Sequence, residues 1–442
     1  MFRQNKTDYT MEERERMHVV IMAGGKGTRI ASVASDIPKP MIPVCGKPIL
    51  EHQISCLREQ GLTQITLIVG HLGQVITEYF GDGSGYGVTI DYIVEETPLG
   101  TAGALVYLKN KIDADFLLIN GDIIFDVDFR RFLQYHREHN GTVTILTHPN
   151  NHPYDSGIIK TDRTGVVTDW LHKEDPRVFY RNRVNAGLHI LSPKVFRYLD
   201  EVKKTDLDRD ILKALIPEGK LIAYDSPEYV KDMGTPERYQ MVIRDVESGL
   251  VKSKNLKQKQ KAVFLDRDGT INVYKGFIRN IEEIELSGGA AEAIARLNES
   301  GYLAIIVTNQ PVIARGECTF EEVEEMHEKL ETLLGEKGAF VDDIFYCPHH
   351  TDAGFEGERP ELKFDCDCRK PKPGMLLQAA GKYNIDLEKS FMVGDGMNDV
   401  EAGRRAGCTS ILLGQREDVV CKSNLEEAVQ YILSQGQERK NA

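Results

Sequence analysis

Residues 261–272 read KAVFLDRDGTIN, and the reading of this stretch decides the fold of the second half of the chain. The apolar run from Ala262 to Leu265 has the length and composition of a buried parallel strand. Asp266 and Asp268 fall at its carboxyl end, where open α/β sheets place their ligands. Gly269 and Thr270 turn the chain away, so both carboxylates can face one cavity. A DxD pair on a loop can equally be a solvated turn. The chemistry that fits it is phosphoryl transfer through a phospho-aspartate beside Mg²⁺. Asp266 attacks phosphorus; Asp268 protonates the departing alkoxide and then deprotonates the attacking water.

Three later stretches supply what such a site needs. Residues 302–307 are apolar and β-rich and end in Thr308, Asn309 and Gln310, a hydroxyl and two amides able to bond a phosphoryl group. Arg369 and Lys370 bring the positive charge that a five-coordinate transition state requires. Residues 391–394 form another short strand, and Asp395 at its end, with Asp399 after it, adds metal-binding carboxylate. Taken in order, DRDGT, TNQ, CRKPKPG and VGDGMND resemble the haloacid dehalogenase superfamily of phosphatases.

Between TNQ and CRKPKPG, Cys347-Pro-His349 and Cys366-Asp-Cys368 place three thiols and an imidazole in two tight pairs. The set suits tetrahedral structural Zn²⁺ with no open position for water. His350 is the alternative to His349, although the C-x-H spacing favours the latter; three free loop cysteines are the plainer alternative. This loop beside CRKP resembles the D-glycero-D-manno-heptose 1,7-bisphosphate phosphatases and the related histidinol-phosphate phosphatases. TNQPVIARG leans towards the heptose group, departing from the commoner TNQSG form at Pro311 and Val312.

The chain of 442 residues is long enough for two domains, each with its own core. A net charge of −13 argues against a nucleic-acid partner. No apolar run approaches transmembrane length and the N-terminus is polar, so no membrane partner is expected and a cytoplasmic location follows. Eight cysteines, three of them in a metal pattern, suit a reducing compartment.

Residues 1–16 read as a disordered leader. Residues 18–22 form a strand running into Ala23-Gly24-Gly25-Lys26-Gly27-Thr28-Arg29. The glycines let backbone N–H groups approach a triphosphate, and Lys26 and Arg29 offset its charge. The second half of a Walker motif is missing, which argues against P-loop chemistry. GGKGTR followed by PKPM resembles the nucleotidyltransferases that join sugar 1-phosphates to nucleoside triphosphates. By that resemblance Arg29 and Lys39 polarise the α-phosphate and steady the leaving pyrophosphate. Lys39 can also be a solvated lysine in a rigid turn.

From residue 49 to 105 a helical spacing (49–60) and buried strands (65–69, 88–94) alternate in the βαβ rhythm of a doubly wound sheet. The resemblance implies that the stretch around Gly100 and Thr101 lines the base and sugar of the nucleotide, with TPLGTAGAL closest to guanylyltransferases of mannose-type sugars. It implies that Asp122, after a strand over 115–120, and Asp232 hold Mg²⁺. It also implies that Asn185 and Gly187 hold the acceptor sugar and that Lys173 meets its 1-phosphate. His172 stands where relatives carry glutamate, and a strand-surface histidine is an equal reading of it.

Residues 235–247 read as a closing helix and 248–260 as a solvated linker. The expected architecture is α/β with two doubly wound domains: a Rossmann-like nucleotidyltransferase over 17–247 and a haloacid dehalogenase-like phosphatase with a zinc loop over 261–442. Residues 320–334 read as a covering helix. Together the resemblances imply a bifunctional enzyme with Mg²⁺ at both sites, held in the second by Asp266, Asp268 and Asp395. The second domain removes the 7-phosphate of the heptose bisphosphate, and the first joins heptose 1-phosphate to a nucleotide from GTP. The alternatives are a mannose-1-phosphate guanylyltransferase fused to a histidinol-phosphate or other sugar phosphatase, or a nucleotide-sugar sensor that regulates the phosphatase.

Overall fold

The structure, a computed structural model, describes residues 17–25 and 37–441. The expected leader over 1–16 and the stretch holding Lys26, Gly27, Thr28 and Arg29 lie outside the described residues. The chain forms two compact units. One holds residues up to His148 together with Ile159–Trp170 and Asn185–Asn255; the other holds Pro149–Ile158, Leu171–Val184 and Leu256 onward.

The first unit is built on a nine-stranded sheet. His18–Met22 lies at its centre, paired in parallel with Gln64–Val69 on one side and Phe116–Asn120 on the other. Thr89–Val94 extends the parallel part and Val184–Leu191 adds an antiparallel strand beside Phe116–Asn120. The chain therefore builds outward from the central strand through residue 94 and then returns to that strand's other side. Such a reversal opens a crevice at the carboxyl ends of the two central strands, here residues 22–25 and 120–122. Strands buried on both faces explain the continuous apolar runs: Val19, Val20 and Ile21 are all fully buried.

The second unit carries a six-stranded parallel sheet. Ala262–Leu265, all four residues buried, is its centre, flanked by Leu303–Asn309 and Phe391–Gly394. Asp343–Cys347 extends one side and Thr409–Leu413 the other. The chain again reverses at the central strand, and Asp266 and Asp395 sit at the carboxyl ends on the two sides of that reversal. Among the described residues no helix is long and apolar enough to cross a membrane.

Residues 248–260 are folded, where the sequence suggested a solvated linker. Leu250–Ser253 is helical, and Val251, Lys254, Asn255, Leu256 and Gln260 are buried. The first half belongs to the first unit, where the Asn255 side-chain amide donates to Asp126 at 2.5 Å. The second half belongs to the second unit, where the Gln260 backbone exchanges hydrogen bonds with Asn384 and Asp386. Lys, Asn and Gln were read as marks of solvation. Lys252, Lys257, Gln258 and Lys259 are exposed as that reading has it, but Asn255 and Gln260 are buried and bond protein groups, and the change of unit falls between Asn255 and Leu256.

Helix Phe320–Glu336 starts at a capping box in which Thr319 accepts from the Glu322 N–H and the Glu322 side chain accepts from the Thr319 N–H. Thr319→Ala should cost about 1 kcal/mol of stability and Thr319→Ser little, read as midpoints of urea unfolding by circular dichroism. Equal midpoints for the Ala variant and the parent would contradict the cap's role.

Candidate functional site

In the second unit, the strand ends converge on a buried ion cluster. Lys370 Nζ lies 2.8 Å from Asp266 Oδ1 and 2.6 Å from Asp399 Oδ1, and all three side chains are nearly out of solvent. Burial and the neighbouring Asp399 raise the Asp266 carboxyl while Lys370 pulls it back; the two acids hold the Lys370 ammonium above its ordinary value against the cost of burial. Asp395 is raised, first by burial and then by the charge of Asp266. Asp266, Asp395 and Asp399 offer oxygens within 4.8 Å of one another, the donor set of a hard divalent cation.

Asp268 is placed differently from its neighbours. Arg267 Nε and Nη2 grip its two oxygens at 3.1 and 2.9 Å, Asn272 donates at 2.9 Å and Gln310 at 3.0 Å. Burial works to raise this carboxyl, but the Arg267 charge and these hydrogen bonds outweigh it and hold the group below its usual range. The sequence reading counted Asp268 among the magnesium ligands. Its oxygens are instead occupied by side-chain donors, and it stands outside the three-acid group.

The backbone around the cluster is fixed by close approach. Gly269 has φ +78°, and a Cβ there would lie 2.1 Å from Asp395 Oδ2. Thr308 is buried and accepts from Gln310 at 3.0 Å. Asn309 exchanges two 3.0 Å hydrogen bonds with the Lys370 backbone, so the TNQ strand end positions the lysine. Arg369 donates to the His349 carbonyl at 3.1 Å and so ties the catalytic loop to the cysteine loop.

In that loop Cys347, His349, Cys366 and Cys368 come together. The three sulfurs are 3.3–3.5 Å apart, and His349 Nδ1 is 3.6 and 3.3 Å from Cys347 and Cys368. These separations are far too long for a disulfide and at or a little below the edges of a tetrahedron with zinc at its centre, about 3.8 Å between sulfurs and about 3.6 Å between sulfur and nitrogen. His350 points away and takes the Asp352 N–H on Nδ1.

In the first unit, Lys39 Nζ meets Asp122 Oδ2 at 2.5 Å. Strands Ile123–Asp126 and Tyr229–Asp232 pair so that Asp232 lies opposite Ile123, bringing the backbones of Asp122 and Asp232 side by side. Arg238 Nη1 contacts both Asp232 oxygens at 3.1 Å. Ala23 and Gly24 reach the same crevice: the Ala23 N–H bonds Ile68 O, and a Cβ on Gly24 would fall 2.5 Å from Glu95 Oε2. Gly187, at φ +77°, packs on Asn120, while Asn185 Oδ1 accepts from the Gly187 N–H at 3.1 Å. The buried His189, lowered to about 4 by desolvation, donates to the same oxygen at 3.1 Å.

Other expected residues are not gathered there. Gly100 pairs with Thr205, and Thr101 accepts from the Leu207 N–H at 2.7 Å, so this loop closes on residues 205–207. Gly25 is exposed. Lys173 is exposed in the turn from His172 to Asp175 and belongs to the second unit. Three residues the sequence reading passed over are central: Glu95 against the glycine loop, and Arg267 and Asn272 against Asp268. The last two lie inside the DRDGTIN stretch, yet nothing local shows that Arg267 is fully buried.

Comparisons with known proteins find two families in the chain, over spans that overlap between residues 161 and 249. The Nucleotidyl transferase family model matches residues 18–249, and the haloacid dehalogenase-like hydrolase model matches residues 161–407. A D-glycero-beta-D-manno-heptose-1,7-bisphosphate 7-phosphatase of Pasteurella multocida is 41% identical over 174 residues, 39% of this chain and 91% of the relative. A mannose-1-phosphate guanylyltransferase of Mycobacterium tuberculosis is 31% identical over 246 residues, 55% of this chain and 68% of the relative. The solved structure of HddC from Yersinia pseudotuberculosis superposes with a TM-score of 0.46 at 28% identity, covering 52% of this chain and 99% of that one. The chain belongs to the nucleotidyl transferase family through its first part and to the haloacid dehalogenase-like hydrolases through its second, and so joins a transferase to a hydrolase.

Proposed function

We propose that the chain is a bifunctional enzyme of nucleotide-activated heptose synthesis, working in the cytoplasm, where the thiols of its cysteine loop stay reduced. The second unit removes the 7-phosphate of D-glycero-D-manno-heptose 1,7-bisphosphate. The first joins the resulting heptose 1-phosphate to the nucleotide of GTP, giving GDP-heptose and pyrophosphate. The observation that carries the reading is the buried Asp266–Lys370–Asp399 triad at the sheet's reversal point, in a chain of which 174 residues align at 41% identity with a heptose bisphosphate 7-phosphatase. The two reactions also fit in sequence, since a bisphosphate must lose one phosphate and keep the anomeric one before nucleotidyl transfer.

An Asp266 oxygen attacks the 7-phosphorus, the bond from phosphorus to the sugar oxygen breaks, and Asp268 gives that oxygen its proton. The incoming phosphoryl anion is what raises Asp268 enough to carry a proton, against the pull of Arg267. Water then attacks the phospho-aspartate, returns a proton to Asp268 and releases phosphate. Lys370 holds Asp266 in place throughout and offsets the growing negative charge, with Thr308 and Gln310 beside it. Mg²⁺ would add charge on the phosphoryl oxygens, and Asp266, Asp395 and Asp399 are the residues that would hold it.

In the first unit an oxygen of the sugar 1-phosphate attacks the α-phosphorus and pyrophosphate leaves. Asp122 and Asp232 would hold Mg²⁺ there; Lys39 and Arg238 now bond those carboxylates. Lys39 is thereby positioned to turn to the departing phosphates, joined by Arg29 from the glycine-rich loop. Asn185 and Gly187 would receive the sugar.

Asp266→Asn should abolish phosphate release from the bisphosphate and leave pyrophosphate release from GTP and heptose 1-phosphate intact, and Asp122→Asn should do the reverse. Loss of both activities from either change in a folded protein would refute two independent sites. The purified protein should also contain about one zinc per chain, because four such ligands complete one shell. Cys366→Ser should lose it and lower the melting temperature. Absence of zinc, with Cys366 freely alkylated, would remove the metal centre from the account.

A further inference from the structure

Residues Pro149–Ile158 and Leu171–Val184 lie within the span that matches the nucleotidyl transferase family, the latter also within the hydrolase match, and both pack as part of the second unit. Within that unit they cover helix Phe320–Glu336. A Cβ on Gly335 would fall 2.7 Å from the Pro153 ring, so the helix and the turn at Pro153–Asp155 are in tight contact. Arg177 ties the two segments together through the carbonyls of Pro153 and Ser156, at 3.3 and 2.8 Å. Tyr180 N–H donates to Thr332 Oγ1 at 3.0 Å.

The strongest contacts are ionic. Glu331 is buried, and its carboxylate receives Arg181 Nε at 2.9 Å and the Asn182 N–H at 2.5 Å, with Arg183 Nη1 at 3.7 Å. Arg181 Nη1 reaches two turns along the helix to Glu324 Oε2 at 3.3 Å. Glu324 also accepts from the Tyr346 hydroxyl at 2.9 Å and faces His327 Nδ1 at 3.8 Å. The other nitrogen of the fully buried His327, Nε2, is 3.4 Å from Arg267 Nη1. Arg267 in turn grips both oxygens of Asp268. A polar path thus runs Arg181, Glu324, His327, Arg267, Asp268. The first member lies where the two family matches overlap, well before the central strand of the second unit, and the last is the proposed acid/base of the phosphatase.

We propose that Arg181 is a positioning residue for the phosphatase reaction, setting through Glu324, His327 and Arg267 the direction in which the Asp268 carboxylate faces. This rests on the acid/base role given to Asp268 above. A buried guanidinium is held by the few partners its cavity offers. Arg267 is bounded by Asp268 on one side and by His327 on the other, so the imidazole's orientation limits where the guanidinium can lie. The Glu324 carboxylate faces the imidazole's Nδ1 at 3.8 Å and favours that edge of the ring by its charge, and Arg181 with Tyr346 holds Glu324. None of these side chains is required to touch substrate. A small displacement of a proton-transfer group lowers the rate of the chemical step without weakening binding.

The test is steady-state kinetics of the full chain with p-nitrophenyl phosphate, a probe that needs no sugar recognition, alongside the heptose bisphosphate. Arg181→Met and Glu324→Gln should each lower phosphatase kcat about tenfold with KM unchanged. The double variant should be no slower than the slower single one, because both act on one path, and Arg181→Lys should recover part of the loss. Nucleotidyl transfer, which Arg181 does not serve, should keep its rate. Unchanged kcat in both single variants, whether or not the melting temperature falls, would overturn the proposal and leave Arg181 as packing alone. If Arg181→Met fails to fold, Glu324→Gln, which keeps the Arg181–Glu331 pair, decides the question by the same kcat criterion. Failure of the parent on the bisphosphate with turnover of p-nitrophenyl phosphate would count against the heptose reading and leave this test standing.

Discussion

One buried ammonium organises the second unit. Lys370 cannot be held away from water without anions, and the fold supplies two: Asp266 after the central strand Ala262–Leu265, and Asp399 in the first turn of the helix Met397–Ala406 that follows Phe391–Gly394. The cost of burying the three groups is met by their mutual contacts, and removing Lys370 would leave two carboxylates facing each other with no cation between them. That requirement fixes much else: the Asn309 side chain that holds the Lys370 backbone, the glycine at 269 that lets Asp395 approach, and the link from Arg369 to the cysteine loop.

The first unit meets a related problem with looser means. Its crevice also lies where the strand order reverses, but the carboxylates there, Asp122 and Asp232, are more than a third exposed, and among the described residues they pair with Lys39 and Arg238 respectively. Exposed pairs of this kind hold weakly, which suits a site whose lysine must exchange a carboxylate for phosphates. Glycines do the precise work instead. At Gly24, Gly121 and Gly187 a Cβ would collide with Glu95, Met22 and Asn120 respectively, so the strand ends can crowd together where a nucleotide would lie.

Much of this was legible in the sequence, and for a physical reason. Strands buried on both faces are continuous apolar runs, so residues 262–265 and 391–394 could be read with the carboxylates that end them. The thiol and imidazole pairs were equally legible, because tight spacing in sequence forces closeness in space. What escaped depended on partners far along the chain. The polarity of residues 248–260 reads as solvation until Asp126 and Asn384 are seen beside them. Lys173 was grouped with the sugar pocket, but its segment packs in the other unit. Arg267 sits between two aspartates like any surface arginine, and only His327, sixty residues on, explains its burial.

Covalent capture at Asp266 tests the account most directly. Turnover of the bisphosphate should be quenched within milliseconds, the protein reduced with borohydride, which converts an aspartyl phosphate to homoserine, and the peptides sequenced by mass spectrometry. The account expects homoserine at position 266 during turnover and none without substrate. Phosphate release with residue 266 unmodified, or with the modification on another carboxylate, would contradict it.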